Sequence, residues 1–380
     1  MRKILIFTSL YLPGVNGGGP IRSIANLVDT LGDLYEFYII TNDKDLGEEK
    51  PYDGINLNNW NEVGKAKVYY CNISKMSLRN IKNILDAINF EFIYINSFFS
   101  QLSIKAYLYL CINRAYDKYK IIIAPRGEFA KSALNIKYIR KKIFLLVYKF
   151  IFNKRCIMFQ GTSEFEVNDV KRIFPKNKVI KVPNLSEIIK FNEKRVIEKD
   201  QGELRLVYIS RIAPIKNLKF ALECLMNVSD GKVFYDIYGP IEDENYWNEC
   251  MDIVKKLPEN IIVKYKGKLE HSKVNEIFRM YHALLLPTKG ENFGHVINES
   301  IKNLCVPIIS NKTPWNNVQE YGCGWCIELN DKKKFVSVIN ELIEKDSRKF
   351  SRIVDRLEAY LLNHDTNIKN IELNKEMFML

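Results

Sequence analysis

Two basic residues, Arg211 and Lys216, follow the short apolar run 206–209 and precede a helical pattern. If that run is a parallel strand, both side chains lie at the carboxyl edge of its sheet, where open α/β sheets bind ligands. A planar guanidinium and a point-charged ammonium on one loop suit the oxygens of a diphosphate. A solvated basic loop is the alternative, and the spacing alone leaves both interpretations open.

Two glutamates, Glu291 and Glu299, stand eight residues apart after the apolar run 283–287. A helix that begins near Phe293 would leave Glu291 on the preceding loop and put Glu299 about two turns into the helix. The two carboxylates would then reach different parts of one ligand, with the free amides of the helix start between them. A pair of surface glutamates is the alternative.

Three consecutive glycines, Gly17, Gly18 and Gly19, separate the first apolar run from a helical pattern that begins at Pro20. Glycine lets the backbone approach a ligand closely, and the amides at a helix start favour phosphate. The segment is neither a Walker loop nor a full dinucleotide fingerprint, so kinase and dehydrogenase interpretations lose support. A plain flexible turn remains the other interpretation.

The elements that position these residues follow a repeating pattern of short β-branched or aromatic runs and helical segments. This alternation predicts an α/β fold with parallel sheets buried on both faces. The series pauses in the polar stretch 186–202 and then restarts, which predicts two doubly wound sheets in tandem. The predicted strands are 4–7, 37–41, 92–95, 121–124, 156–160 and 179–182, then 206–209, 233–238, 261–265, 283–287 and 306–310.

A chain of 380 residues suits two domains. We predict an N-terminal Rossmann-like domain over residues 1–184 and a C-terminal one over 185–363. From residue 331 onward the pattern is helical throughout. A final helix over about residues 364–380 is expected to pack back on the first domain.

Composition indicates a soluble globular protein, with 47% hydrophobic and 27% charged residues. The net charge of +12 suggests an anionic partner such as a nucleotide or a membrane. No nucleic-acid-binding motif accompanies this charge, so a nucleic-acid partner is not expected. The eight cysteines are scattered, and Cys323 and Cys326 lack a second pair or a nearby histidine, which favours reduced cytosolic thiols over a metal site.

Taken in order, these motifs resemble the family 4 glycosyltransferases, which have the GT-B fold of two Rossmann-like domains facing a central cleft. The resemblance covers nearly the whole chain and rests on the triple glycine, the segments 125–128 and 313–315, the Arg211 and Lys216 loop, and the spacing of the two glutamates. It implies transfer of a sugar from a nucleotide-sugar, such as a UDP- or GDP-sugar, with retention of anomeric configuration. The implied acceptor is a glycan or a polyprenyl-diphosphate-linked glycan in the biosynthesis of a surface polysaccharide such as capsule, O-antigen or exopolysaccharide.

The resemblance also implies roles for individual residues. Arg211 and Lys216 would neutralise the donor diphosphate, Glu291 would lie near the transferred sugar, and Glu299 would bind the ribose hydroxyls. No metal or other cofactor is required in this scheme. The remaining implied donor-binding residues are Gly17, Gly18, Gly19, Asn292, Phe293 and Gly294.

One departure concerns the first domain, where many relatives carry a histidine near the reacting sugar. The histidines here all lie in the second half or the tail, at positions 271, 282, 295 and 364. Arg126 occupies the corresponding neighbourhood and would orient the donor or the acceptor. A structural Arg126 that pairs with Glu128 is the alternative.

His295 and Trp315 each have two interpretations. His295 would touch the donor sugar or simply begin the helix, and Trp315 would support the nucleotide pocket or pack as a core aromatic. The other three histidines are predicted to be structural.

Residues 137–155 combine basic ends with a strongly apolar middle. This pattern fits a helix that rests on an anionic membrane, which would put the protein at the cytoplasmic face of the cell membrane. A buried core helix with solvated lysines at its ends is the alternative.

Two other functions compete with glycosyl transfer. A sugar-nucleotide epimerase of the same fold would need acid and base side chains from both domains, and the first domain offers no histidine. A non-catalytic nucleotide-sugar-binding module is disfavoured by the intact glutamates and basic pair.

Overall fold

The computed structural model describes residues 1–135, 137–185, 198–363 and 367–380. Mutual contacts divide the chain into two compact units, Met1–Glu187 with Asn367–Leu380, and Ile188–Thr366. Most of the predicted polar stretch 186–202, together with His364, lies outside the described residues.

The first unit is built on an eight-stranded sheet in the order β3-β4-β2-β1-β5-β6-β7-β8. Its strands are β1 (Arg2–Thr8), β2 (Tyr35–Asn42), β3 (Trp60–Val63), β4 (Ala66–Cys71), β5 (Phe92–Asn96), β6 (Lys120–Ala124), β7 (Met158–Gly161) and β8 (Lys178–Lys181). Among these described strands β3 alone runs antiparallel, to its neighbour β4. The prediction of a parallel sheet is confirmed, and the antiparallel pair lies at this edge, where the sequence pattern missed both strands.

Both faces of this sheet are covered, as its continuous apolar strands require. In β1, Leu5 and Phe7 enter one apolar cluster, whereas Ile4 and Ile6 enter the other, following the two-residue period of a strand. The helices before the second unit are α1 (Gly19–Leu31), α2 (Leu78–Ala87), α3 (Gln101–Ile112), α4 (Lys131–Asn135), α5 (Tyr138–Val147) and α6 (Glu164–Ile173).

Only one side of the helix α5 packs against the rest of the first unit. Of its residues Tyr138–Val147, none is fully buried, so the interpretation as a buried core helix is wrong. Phe144 and Leu145 pack against the core cluster, and the π-helical turn Tyr148–Phe152 that continues the helix buries its first and last residues. The opposite side of the helix is apolar as well and is exposed.

The second unit is built on a six-stranded, all-parallel sheet in the order β11-β10-β9-β12-β13-β14. Its strands are β9 (Glu203–Ile209), β10 (Lys232–Tyr238), β11 (Ile261–Gly267), β12 (Ala283–Leu286), β13 (Val306–Ser310) and β14 (Trp325–Ile327). The sequence pattern missed β14. The helices are α7 (Leu218–Leu225), α8 (Glu244–Val254), α9 (Val274–Phe278), α10 (His295–Lys302), α11 (Lys332–Ile343) and α12 (Ser347–Asn363).

The last helix, α13 (Asn367–Met377), belongs to the first unit. Just beyond it, the ring of Phe378 makes edge contacts with Tyr35 and Phe92, at centroid distances of 5.5 and 5.6 Å. The amide of Asn374 donates to the carbonyl of Pro183 at 2.9 Å. None of the described helices is long and apolar enough to cross a bilayer.

Candidate functional site

Arg211 stands directly after β9, on a loop tied to the loop that follows β10. The N–H of Ile212 donates to the carbonyl of Pro240 at 2.8 Å, and Ile212 forms an isolated parallel bridge with Ile241. This pairing brings Glu242 beside Arg211, and the guanidinium donates to the Glu242 carboxylate. Sequence reasoning did not identify Glu242 as a site residue.

Lys216 lies further along the same loop and forms an ion pair with Glu291, with 2.5 Å between Nζ and Oε1. The two side chains are 15% and 9% exposed. Three tertiary hydrogen bonds join the loops that follow β9 and β12. The side chain of Asn217 donates to the Pro287 carbonyl, and the N–H of Lys289 and the hydroxyl of Thr288 both donate to the Ile215 carbonyl. The structure therefore brings together Lys216 of the basic loop and Glu291 of the glutamate motif, which the sequence had shown only as separate motifs.

The helix α10 begins at His295, with Gly294 as its N-cap at φ 75°. Glu291 lies on the preceding loop, where its own N–H donates to the carbonyl of Lys312 at 2.9 Å. Glu299 is the fifth residue of α10, little more than one turn from its start. The expectation of two turns is wrong because the left-handed glycine delays the helix by two residues from Phe293.

Trp315 fixes the turn before α10. Its indole N–H donates to the carbonyl of Phe293 at 2.6 Å, and the two rings meet edge-on. A Cβ on Gly294 would stand 3.1 Å from the Ile297 side chain and 3.2 Å from the Trp315 Nε1, so a larger residue would crowd these neighbours as well as strain the left-handed backbone. Asn292, beside Phe293, is partly exposed on the same loop.

The histidines take different positions. The His271 Nδ1 lies 3.9 Å from a carboxylate oxygen of Glu299, a neighbour that the sequence did not indicate. His295 is the first residue of α10, with its ring 4.6 Å from that of Phe293. His282 is buried and accepts the N–H of Arg205 at 2.9 Å, a structural role.

In the first unit, the triple glycine forms a defined turn before α1. Gly18 is the N-cap at φ 59°, and a Cβ there would meet nothing within 4 Å. A Cβ on Gly17 would lie 2.7 Å from the side chain of Leu10. Gly19 is the first residue of α1, which makes Pro20 the second helical residue rather than the first.

Asp45 anchors this turn; with Asp43 it forms an Asp-x-Asp pattern that the sequence prediction overlooked. One oxygen of Asp45 accepts the N–H groups of Val15 and Asn16, at 2.8 and 3.0 Å, and the other accepts the N–H of Leu46. The Asp45 carboxylate is thus bound to backbone. Within the described ranges, no group of three histidine, cysteine or acidic side chains is arranged to hold a metal ion.

Arg126 stands just after β6 in the left-handed region, with φ 56°. Its guanidinium donates to the side-chain oxygen of Asn96 at 2.6 Å, to the hydroxyl of Tyr94 at 2.7 Å, and to the side-chain oxygen of Asn184. Burial raises the pKa of Tyr94, so its hydroxyl stays protonated and donates in turn to Gln160. All three acceptors of Arg126 are neutral.

Glu128 takes different partners, so the predicted Arg126–Glu128 pair is wrong. Its carboxylate accepts the Ser97 hydroxyl at 2.8 Å and the backbone N–H groups of Phe98 and Phe99. Burial raises the pKa of Glu128 against the opposing effect of these hydrogen bonds.

The comparisons with known proteins agree with this architecture. Residues 189–356 match the family model described as glycosyl transferases group 1. No curated protein sequence matches the chain. Over the full length of both chains, the protein is similar to Anabaena Alr3699/HepE solved with UDP-glucose (13% identity, TM-score 0.71) and to sucrose-phosphate synthase from Thermosynechococcus elongatus (13% identity, TM-score 0.70).

A third similar structure is WaaG, a glycosyltransferase involved in lipopolysaccharide biosynthesis, with 11% identity, a TM-score of 0.68 and 98% of each chain covered. At these identities the likeness is one of fold. The chain therefore has the GT-B fold. The matched residues 189–356 include the four candidate site residues of the second unit, Arg211, Lys216, Glu291 and Glu299.

Proposed function

We propose that the chain is a retaining glycosyltransferase of family 4 that transfers a sugar from a nucleoside-diphosphate sugar. One observation carries the proposal: Arg211, Lys216 and Glu291 lie on loops that leave the carboxyl edge of one parallel sheet, beside the start of α10. That edge is the ligand-binding edge of an open α/β sheet.

The basic pair has the chemistry that a diphosphate leaving group needs. Negative charge grows on the diphosphate as its bond to the sugar breaks, and fixed cations stabilise that charge in the transition state. Arg211 offers paired N–H donors and Lys216 a point charge. Because two side-chain cations supply this stabilisation, the proposal requires no metal, and activity should survive a chelator.

The two glutamates would bind different parts of the donor. We assign the hydroxyls of the transferred sugar to Glu291, on the loop, and the ribose hydroxyls to Glu299, inside α10. Backbone amides around Asn292, Phe293 and Gly294 would bind phosphate or sugar oxygens, as amides at helix starts do.

Retention follows from a same-face displacement. The acceptor oxygen forms its bond to the anomeric carbon on the face from which the diphosphate departs, and the leaving phosphate oxygen takes the acceptor proton. NMR of the product would report the anomeric configuration, and an inverted product would refute this part of the proposal.

Two assays test the function as a whole. A thermal-shift panel of UDP, GDP, ADP and TDP identifies the nucleotide, because a ligand at a hundred times its Kd stabilises the native state by about 2.7 kcal/mol. Radiolabelled sugar donors, incubated with and without bacterial membranes, then separate transfer from epimerisation and from binding. A labelled epimer without transfer would favour the epimerase, and binding without turnover would favour the non-catalytic module.

The proposed acceptor is a polyprenyl-diphosphate-linked glycan in an anionic membrane. The protein would bind that membrane through α5 and the turn Tyr148–Phe152 that continues it. Ile139, Ile143, Leu146 and Phe150 recur at the spacing of one helix face, and Ile139 and Phe150 are 71% and 81% exposed. This face therefore presents its apolar surface to solvent while Phe144 and Leu145 on the other side hold the helix to the core.

Exposed cations flank this apolar face, as in helices that lie in the plane of an anionic membrane. Arg140 borders one side, and Lys142 and Lys149 border the other. Lys141 lies elsewhere, because its ammonium donates to the Ala133 carbonyl at 2.6 Å. This arrangement supports a peripheral location at the cytoplasmic face of the membrane.

Vesicle sedimentation tests the membrane proposal. Binding to vesicles with anionic lipid should weaken with salt, and Phe150→Ser and the triple change of Arg140, Lys142 and Lys149 to Gln should each reduce it. Leu362→Ser, which alters a similarly exposed apolar residue of the second unit, should not. Equal binding to neutral and anionic vesicles would contradict the proposal.

A further inference from the structure

We propose that Glu242 and Glu291 are built-in substitutes for the donor diphosphate, each holding one diphosphate-binding cation until the donor displaces it. The inference rests on the proposed function, because it takes Arg211 and Lys216 as the diphosphate ligands. It adds Glu242 to the donor site and gives Glu291 a second partner, used before the sugar arrives.

The Lys216–Glu291 pair is the more enclosed of the two. With only 15% and 9% of the side chains exposed, an uncompensated charge at this position would be costly, so each group needs an opposite charge in the free protein. Backbone bonds hold both residues in place, from the Lys216 N–H to the Ala213 carbonyl and from the Glu291 N–H to the Lys312 carbonyl. A diphosphate oxygen would meet the same need of Lys216 that Glu291 now meets.

The Arg211–Glu242 pair is more open, with side chains 35% and 44% exposed. It is nevertheless built into the fold, because the Glu242 N–H donates to the Ile212 carbonyl at 3.1 Å, next to the bridge between Ile212 and Ile241. Exposed ion pairs contribute little stability, so a ligand can replace this carboxylate at small cost.

Donor binding is then an exchange of ion pairs rather than the filling of an empty cationic site. Arg211 and Lys216 each leave a carboxylate and bind a phosphate oxygen instead. A ligand must therefore carry enough negative charge to pair with both cations. The exchange also releases Glu291 from Lys216. The freed carboxylate can then accept hydrogen bonds from the hydroxyls of the transferred sugar, so diphosphate binding prepares the group that the sugar requires.

The exchange predicts opposite signs in two measurements on Glu291→Gln. This variant keeps the shape of the side chain but removes the competing charge, so calorimetry should show nucleoside diphosphate binding more than about fivefold tighter, beyond the range of exposed pairs. Turnover should fall, because the sugar loses a charged acceptor. Glu242→Gln should tighten binding by roughly 1.5- to 5-fold, the range of exposed ion pairs.

Asp252→Asn is the matched control. Asp252 pairs with Lys255 near the far end of α8, so the variant removes one negative charge and frees one lysine of the same unit. It lies roughly 12 Å along the helix from Glu244, and nucleotide affinity should change by less than about 1.5-fold. An effect as large as that of Glu242→Gln would mean that net charge alone is at work and would overturn the proposal.

Unchanged or weaker binding by Glu291→Gln would also overturn the proposal. Glu291→Asp, which keeps the charge but shortens its reach to Lys216, should give an intermediate tightening and serves if the Gln variant does not fold by circular dichroism. Failure of the proposed function has a different signature: wild type would bind no nucleoside diphosphate, or Lys216→Ala would bind it as tightly as wild type.

Discussion

The two units both carry an arginine after a strand of a parallel sheet, yet they hold it in different ways. Arg126 in the first unit donates to two amide oxygens and a tyrosine hydroxyl, all neutral. Arg211 and Lys216 in the second unit are each paired with a carboxylate. Neutral acceptors fix a cation without cancelling its charge, whereas a carboxylate cancels the charge and can be replaced by another anion.

This difference indicates a structural role for Arg126 and a ligand-binding role for Arg211 and Lys216. In the first unit, Arg126 follows β6 and binds Asn96 at the end of β5 and Asn184 in the segment after β8. It thus joins three segments of its own unit. The second unit keeps its cations in exchangeable pairs at the edge that we propose for the donor. Substitutions at these positions should therefore affect different quantities.

The largest effect is expected from Glu291→Ala. If the carboxylate contacts the reacting sugar, its hydrogen bonds strengthen as charge develops at the anomeric carbon, so the loss should appear mainly in kcat. We expect a decrease of about 100-fold or more, the size seen when one preorganised group at a developing charge is removed. Steady-state kinetics measure it. A change confined to KM would place Glu291 away from the chemistry.

Arg211→Ala and Lys216→Ala should weaken binding of the nucleoside diphosphate. Each substitution removes a charge-assisted bond worth roughly 1.5 to 3 kcal/mol, which corresponds to about 10- to 150-fold in Kd. Calorimetry measures it. Wild-type affinity in both variants would contradict the assignment of the diphosphate site.

Glu299→Ala should differ from Glu291→Ala in kind. The ribose does not change during the reaction, so removing its acceptor takes away binding that substrate and transition state share. We expect a donor KM higher by about 10- to 150-fold, for a loss of roughly 1.5 to 3 kcal/mol, with kcat little changed. Circular dichroism checks the fold. Interchanged kinetic profiles of the two glutamate variants would refute the scheme.

The smallest effect on ligand binding is expected from Arg126→Met. The substitution strands the oxygens of Asn96 and Asn184 and should cost about 1 to 3 kcal/mol of stability for each group left unsatisfied. A lower Tm with nucleotide affinity within about twofold of wild type would show that Arg126 stabilises the first unit without binding the nucleotide. A folded variant that binds nucleotide normally but has lost turnover would instead support the hypothesis that Arg126 orients the donor or acceptor.

The sequence predicted the central strands well because their apolar runs are long and uninterrupted. It missed β3 and β14, which lie at sheet edges, and β4, which lies between β3 and β2. All three are short or interspersed with polar residues, so no long apolar run marks them. These omissions do not displace the candidate site, whose residues follow the central strands β9 and β12.

Partners across loops were harder to predict than positions along the chain. Arg126 and Glu128 are two residues apart, which suggested a pair, but the glycine between them at φ 80° and the surrounding amides direct them to different partners. Glu242 reaches Arg211 only because the loops after β9 and β10 are bridged. Such a contact follows from strand order, and a single sequence shows no spacing that reveals it.

The return of the chain to the first unit also has a consequence for synthesis. The edge contacts of Phe378 with Tyr35 and Phe92 join residues that are far apart in the sequence. On the ribosome, the unit that emerges first is thus completed after the second unit, because its aromatic surface stays uncovered until Phe378 leaves the exit tunnel. Over that interval the nascent chain exposes the kind of apolar surface that chaperones bind and that drives aggregation.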